Sequence, residues 1–312
     1  MTTLAALNHH SRLARLSDYL WQYPKQVLIT MLLLPVLWLG VVYLGSLATL
    51  LIQSFFSIDD FSGLIKHEWT LKTYKEFFFP ANLDIILRTV LMSALVTIAS
   101  AIIAFPIAYY AARYAKGVWK ALFYIGIMLP LWSSYLVKVY AWKLILAKEG
   151  ILNWLFTTLH LDSLQNVYLA LPVVGGSSLS VSYTGTFLVF VYVWLPFMIL
   201  PLQAALERVP TSLLEASADL GASAWPTFRY VLLPLALPGL IAGSIFTFSL
   251  TLGDYIIPQI IGSSRLFIGQ AVYMQQGTAG NIPLAAAFSV VPIVIMGIYL
   301  WLAKRAGAFN AL

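Results

Sequence analysis

Six stretches of this chain are long and apolar enough to cross a membrane as helices. They run over about 27–52, 85–112, 121–140, 186–206, 235–257 and 284–303. About 20 apolar residues in helical form span the hydrocarbon core. In lipid every backbone polar group must be satisfied within the segment or by a closed barrel, and runs of this length fit helices. The expected fold class is all-α: a polytopic membrane helical bundle of six transmembrane helices. Charged residues are only 10% of the 312, against roughly 25% in soluble domains. The chain therefore lacks the polar surface to face water all round. A shorter apolar run at 167–174 cannot span and is expected in an outer loop packed on the bundle.

About 26 residues precede the first run, and that run far exceeds the 7–15 apolar residues of a signal peptide. It is expected to be retained. The chain then divides into a cytoplasmic tail (1–26), a first transmembrane helix (27–52), a periplasmic loop (53–84), a five-span core (85–303) with an inner loop at 207–234, and a cytoplasmic tail (304–312). The sidedness comes from Lys/Arg. An even number of spans puts both termini on one side. That side carries ten: Arg12, Arg15, Lys25, Arg113, Lys116, Lys120, Arg208, Arg229, Lys304 and Arg305. The opposite, longer loops carry six, and Lys138 and Lys143 lie at or near the third span. The positive-inside rule places the richer side in the cytoplasm.

The net charge of +6 is thus a matter of topology. No Lys/Arg cluster of nucleic-acid-binding size exists, so no nucleic acid is expected. Zero cysteines exclude disulfides and thiolate metal sites, and the four scattered histidines lack metal-ligand spacing. No metal or cofactor is expected. There is no GxxxxGK[ST] phosphate loop, no nucleophile triad and no plausible carboxylate pair, so no catalytic residue is assigned and the chain is not expected to be an enzyme. The outer loops carry Asp59, Asp60, Glu68, Glu76, Asp84, Glu149 and Asp162, which read as a solvated face or as a docking surface for a soluble protein. Prolines recur in or beside the spans. Pro196 and Pro201 in one span point to a bent helix lining a path. Gly239 and Gly243, spaced as small-xxx-small, would let a neighbouring helix approach closely.

The loop at 207–234 is built differently from a plain connection. Ser212-Leu213-Leu214-Glu215 fits a capping box, and Gly221 is a natural helix stop. Ser223, with Pro226 in the first turn, starts a second helix towards Pro234 and the fifth span. Glu215 and Asp219 sit four apart on one face, where like charges cost a helix about 0.2–0.5 kcal/mol. Asp219 is also at the negative end of the helix dipole. Leu213, Leu214, Leu220, Trp225 and Phe228 add apolar surface nearby. A basic, grooved partner would relieve this arrangement; an interfacial helix pair packed on its own bundle is the plainer reading.

The pattern Glu-Ala-Ala, three residues, Gly, nine residues, Ile-x-Leu-Pro is the signature of permease subunits in binding-protein-dependent ABC importers. Glu215, Ala216, Gly221, Leu233 and Pro234 match it with the spacing intact, while Ser217 and Val231 depart from it conservatively. The chain resembles that family over about 88–303. The resemblance implies the type I ABC importer permease fold in a bacterial inner membrane. It also implies ABC ATPase subunits, a second permease subunit (a different chain), a periplasmic solute-binding protein and membrane lipid as partners. In the family this loop couples to the ATPase. The residues carried over for coupling are Glu215, Ala216, Asp219, Gly221 and Pro234.

Four stretches resemble the spermidine/putrescine branch: Trp194-Leu195-Pro196-Phe197-Met198-Ile199-Leu200-Pro201, the run from Leu214 to Gly221, the run from Leu129 to Trp142, and Leu252-Gly253-Asp254-Tyr255-Ile256-Ile257-Pro258. A polyamine such as putrescine or spermidine is the expected solute. An opine, an amino-acid-like solute, iron or an anion is the alternative, and an ion-coupled secondary transporter a more distant one. Asp254 is the one acid in its span, and intramembrane ionisable residues mark pathways. Tyr255 beside it suits an alkylammonium ion through cation–π attraction. Gly253 and Pro258 bracket an irregular turn there. Lys138 and Trp142 share a helix face. They read either as an interfacial belt with a snorkelling lysine, or as path residues, Lys138 pairing with Asp254 until a cation displaces it.

Overall fold

The computed structural model describes residues 20–59, 61–171 and 176–305. Arg12, Arg15, Asp60, the end of the apolar run at 167–174 and the tail beyond 305 lie outside the described residues. The first helix, α1 (Pro24–Gln53), forms a unit by itself. Pro24 occupies its first position, where a missing N–H costs nothing. A wider π-helical turn at Trp38–Leu44 follows Pro35. Such turns absorb the crowding that an internal proline creates.

The second unit opens with an antiparallel ribbon, β1 (Ser57–Ile58) and β2 (Ile65–Lys66), in which Ser57 faces Lys66 and Ile58 faces Ile65. The all-α expectation holds for the bundle, and this ribbon in the loop before α3 is an addition to it. Asp59 pairs with Lys66 at 3.4 Å and Asp84 with Arg88, so part of the acidity expected on the outer face is neutralised internally. The helices that follow are α2 (Lys72–Lys75), α3 (Pro80–Arg113), α4 (Gly117–Trp132), α5 (Tyr135–Leu146), α6 (Ile151–Thr158), α7 (Asp162–Leu169), α8 (Tyr183–Arg208), α9 (Thr211–Asp219), α10 (Ala224–Gly253), α11 (Ile256–Ile260), α12 (Ile268–Gly277) and α13 (Ile282–Arg305).

The centre of this unit is α3, α8 and α10, each packed on the other two. Lipid supplies no hydrophobic force between helices, so close packing of small residues must do so. On α3 the buried seam is Thr89, Ser93, Ser100, Ala104, Ala108 and Ala111. The Thr89 and Ser93 hydroxyls donate to the carbonyls of Ile85 and Thr89, which removes the penalty of burying them. Between α8 and α10 the contact runs through Gly239 and Gly243, as their spacing predicts. A Cβ on Gly239 would lie 2.4 Å from the Ala205 Cβ and 2.5 Å from the Pro201 carbonyl oxygen. α13 packs on α10 and α12.

Two predicted spans differ from what is observed. The third, expected unbroken over 121–140, ends as α4 at Trp132. Ser133 and Ser134 are extended, and the chain resumes as α5 after a turn of 94°. A continuing helix would bring the Ser134 N–H to the Pro130 carbonyl. That carbonyl instead accepts from Ser133 Oγ at 2.9 Å and Lys138 Nζ at 2.6 Å. Local side-chain donors have replaced the backbone one. The fifth span, expected over 235–257, stops at Gly253, and a separate short helix, α11, begins at Ile256.

Candidate functional site

The candidate residues fall at two places among the described residues: the elbow between α8 and α10, and the break after α10. At the elbow the expected capping box does not form. Pro210, with φ −62° and an extended ψ, already turns the chain into the helix, so α9 starts at Thr211 and Ser212 lies inside it without capping. The other end behaves as the glycine predicts. Gly221 has φ +76°. Its N–H donates to the Ala218 carbonyl at 2.8 Å, and the Ala222 N–H donates to Ser217 at 3.1 Å. This is a Schellman ending, which satisfies two carbonyls the helix would otherwise leave open.

Ser217, the departure from the family's second alanine, is buried, and its Oγ lies 2.8 Å from Thr227 Oγ1. It fastens α9 to the start of α10. Leu214 and Phe228 pack on the inner core, while Glu215, Ala216, Asp219, Leu220 and Gly221 stand exposed together. Leu220 is 87% exposed. Neither Glu215 nor Asp219 has a hydrogen-bond or ion-pair partner among the described residues. Pro234 is exposed and follows a π-helical turn at Phe228–Leu232, whose widened geometry tolerates its missing N–H.

The elbow is anchored by groups that the sequence showed only as charges. Glu207 accepts from Lys120 at 2.8 Å and from the Tyr124 hydroxyl at 3.0 Å. Arg113 donates to the Val209 carbonyl at 2.6 Å. Together they tie the C-terminal end of α3 and the N-terminal half of α4 to the entry of the elbow. No spacing rule could have found them, because the partners come from separate helices.

At the break after α10, Asp254 is extended, with φ −74° and ψ 131°. Its Oδ1 accepts from the backbone N–H of Ile256 at 2.7 Å and of Ile257 at 3.2 Å. Oδ2 accepts from the Tyr135 hydroxyl. The carboxylate thus ends α10, starts α11 and fastens α5 to both. Of the four candidate path residues, the structure does not bring the rest to this carboxylate. Tyr255 turns to α12, where it stacks on Tyr273 at 5.1 Å beside a pocket of about 330 Å³. Trp142 meets Tyr192 at 5.1 Å. Lys138 holds the Pro130 carbonyl and makes no ion pair with Asp254. The aromatic beside Asp254 is Tyr135, stacked on Trp194 at 5.8 Å. Gly269 was also not singled out by the sequence. A Cβ there would lie 2.8 Å from the carbonyl oxygens of Gly253 and Asp254, so α12 sets the position of the break.

This geometry separates two roles for Lys138. Lys138→Met is expected to remove about 1.5 kcal/mol of stability, the lower end for a hydrogen bond from a charged donor. The thermal midpoint of the solubilised protein should fall while affinity for solute stays the same. Tighter binding of a cation with no loss of stability would return Lys138 to the path.

Residues 151–307 match the family described as binding-protein-dependent transport system inner membrane component. The chain is 58% identical over 300 residues, 96% of each sequence, to the inner membrane ABC transporter permease protein YdcU of Escherichia coli K12. It is 29% identical over 258 residues to the spermidine/putrescine transport system permease protein PotB of the same organism, covering 81% of this chain and 88% of PotB. In fold it is similar to a chain of a bacterial ABC transporter involved in the import of the acidic polysaccharide alginate. The TM-score is 0.66 at 17% identity, over 93% of this chain and 99% of that one. The apolar helices, the signature-bearing elbow and these likenesses agree: the chain belongs to the family of binding-protein-dependent transport system inner membrane components and is a multi-pass permease subunit of an ABC importer, with ATP hydrolysis carried out by a separate subunit.

Proposed function

We propose that this permease forms one side of a path for a small linear alkylammonium solute, a polyamine such as putrescine or spermidine. Both termini and the α9–α10 elbow face the cytoplasm, where the elbow seats in a cleft of the ATPase subunit. A different permease chain completes the path, and a periplasmic solute-binding protein delivers the solute. The observation that carries the cationic reading is the placement of Asp254. It is the one acid of the α10 span, set beside the Tyr135 ring, with Lys138 drawn away to Pro130. An anionic solute is disfavoured by the same carboxylate. The relation to PotB supports the polyamine class, whereas the alginate-related fold shows that the architecture by itself does not select a solute.

Coupling in this reading is mechanical. Exposed Glu215, Ala216, Asp219 and Gly221 meet the ATPase, and Pro234 lies where the elbow joins the α10 span. Movement of the elbow tilts α8 and α10 as one body, because they pack through Gly239 and Gly243. Two packings of the helices, biased by solute outside and nucleotide inside, account for alternating access.

Asp254→Asn tests the solute reading. Asparagine keeps an oxygen to cap α11 and the same side-chain length, so the fold should stand. A charge-assisted hydrogen bond of about 1.5–3 kcal/mol corresponds to a rise of about tenfold or more in KM for putrescine uptake by the reconstituted complex. Unchanged KM and rate would remove Asp254 from the path. Crosslinking from the 207–234 loop to the co-purified ATPase tests the orientation.

A further inference from the structure

We propose that Tyr135, Trp194, Phe197 and Phe246 form an aromatic track that carries an alkylammonium ion inward from Asp254. This rests on the cationic reading above and names the groups that act after Asp254. The rings are contiguous. Tyr135 stacks on Trp194 at 5.8 Å with 19° between planes. Trp194 meets Phe197 at 5.8 Å, and Phe197 meets Phe246 at 6.4 Å. The first ring donates its hydroxyl to Asp254. The last lies about 10 Å further in than Gly253, at 1.5 Å of rise per residue along α10. Trp194 and Phe197 are one turn apart on α8, which runs inward.

The chemistry of the two helices explains why such a track is needed. Between Asp254 and Glu207, neither α8 nor α10 contains an acid. Glu207 is already engaged by Lys120. A cation released from Asp254 thus finds no counter-charge on these helices through the depth of the hydrocarbon, where an unpaired charge is expensive. The faces of aromatic rings attract a cation without carrying charge themselves, most strongly when water is excluded. Rings about 6 Å apart allow one contact to form as the previous one loosens. Phe246 is 51% exposed, and it shares a face of α10 with Gly253.

The test uses the complete transport complex in proteoliposomes and radiolabelled putrescine. Phe246→Leu keeps an apolar side chain and removes the ring, whereas Phe246→Trp keeps a ring. On the proposal, the leucine variant loses about tenfold in kcat with KM unchanged, the scale of one desolvated cation–π contact. The tryptophan variant transports at or above the wild-type rate. Phe197→Leu gives the same pattern and serves should Phe246→Leu fail to assemble. Wild-type transport by both leucine variants, or equal loss in leucine and tryptophan variants, overturns the track. If Asp254→Asn raises KM while the leucine variants are normal, the cationic reading stands and the track alone falls. If the wild-type complex moves no putrescine or spermidine, both fall.

Discussion

Gly239→Ala is expected to force α10 off α8 and to lower the stability of the subunit by about 1–3 kcal/mol, as an extra methyl does in a filled interior. Gly239→Val should prevent accumulation in the membrane. The size follows from what the new carbon would meet. At position 239 it would lie 2.4 Å from the Ala205 Cβ and 2.5 Å from the Pro201 carbonyl oxygen, with the Leu202 Cα at 3.2 Å. Two of these three atoms are backbone, so relief requires moving a helix rather than a side chain. At Gly243 the nearest atom is the Met198 sulfur at 2.8 Å, followed by Met198 backbone atoms at 3.0 Å. The sulfur can swing aside, so Gly243→Ala should be the milder change. Thermal melts of the solubilised subunit, with membrane abundance as a second readout, give the order wild type, Gly243→Ala, Gly239→Ala. A Gly239→Ala protein that melts with the wild type would show that α8 and α10 are not held by this contact.

The same pair of glycines shows what the sequence makes legible. A four-residue spacing of small side chains in an apolar run has one strong physical use, close helix approach, and the structure uses it so. The elbow was legible for a similar reason: Gly221 after a short polar helix needs a left-handed residue to stop it, and the Schellman hydrogen bonds follow. The bend after Trp132 was not legible. Hydropathy runs straight through it, since Ser133 and Ser134 are too few to interrupt a window of 20 residues. At the bend the Pro130 carbonyl is taken by the side chains of Ser133 and of Lys138, eight residues away, in place of a helical N–H. The Asp254 site was half legible. Asp254 stands out as a lone acid, but its use as a helix cap and its bond to Tyr135 depend on where α5 lies, and the position of α5 depends on the same bend. The missed bend therefore explains the missed partner: in an unbroken third span, Tyr135 would stack in line with Trp132 rather than reach across to α10. Lys120, Tyr124 and Glu207 failed to stand out because each is ordinary alone and only the folded bundle makes them one group.

Gly221→Val is expected to leave the subunit inserted and assembled while abolishing uptake, with the ATPase continuing to hydrolyse ATP without transport. At φ +76° a residue with a Cβ pays about 1–2 kcal/mol, and a β-branched one is further restricted at χ1. Nothing lies within 4 Å of the added Cβ. The penalty is therefore purely conformational, and the chain can escape it by leaving the left-handed region. Doing so breaks the Gly221–Ala218 and Ala222–Ser217 hydrogen bonds and unwinds the end of α9 that presents Asp219 and Leu220. The bundle is untouched, because the core contacts of α8 and α10 lie at a distance from this turn. Gly221→Asn separates conformation from other causes. Asparagine tolerates the left-handed region, so it should retain most of the transport that valine loses. The measurement is the ratio of solute moved to ATP hydrolysed in proteoliposomes. A normal ratio for Gly221→Val, or equal failure of the asparagine and valine variants, would remove the shape of this turn from the coupling mechanism.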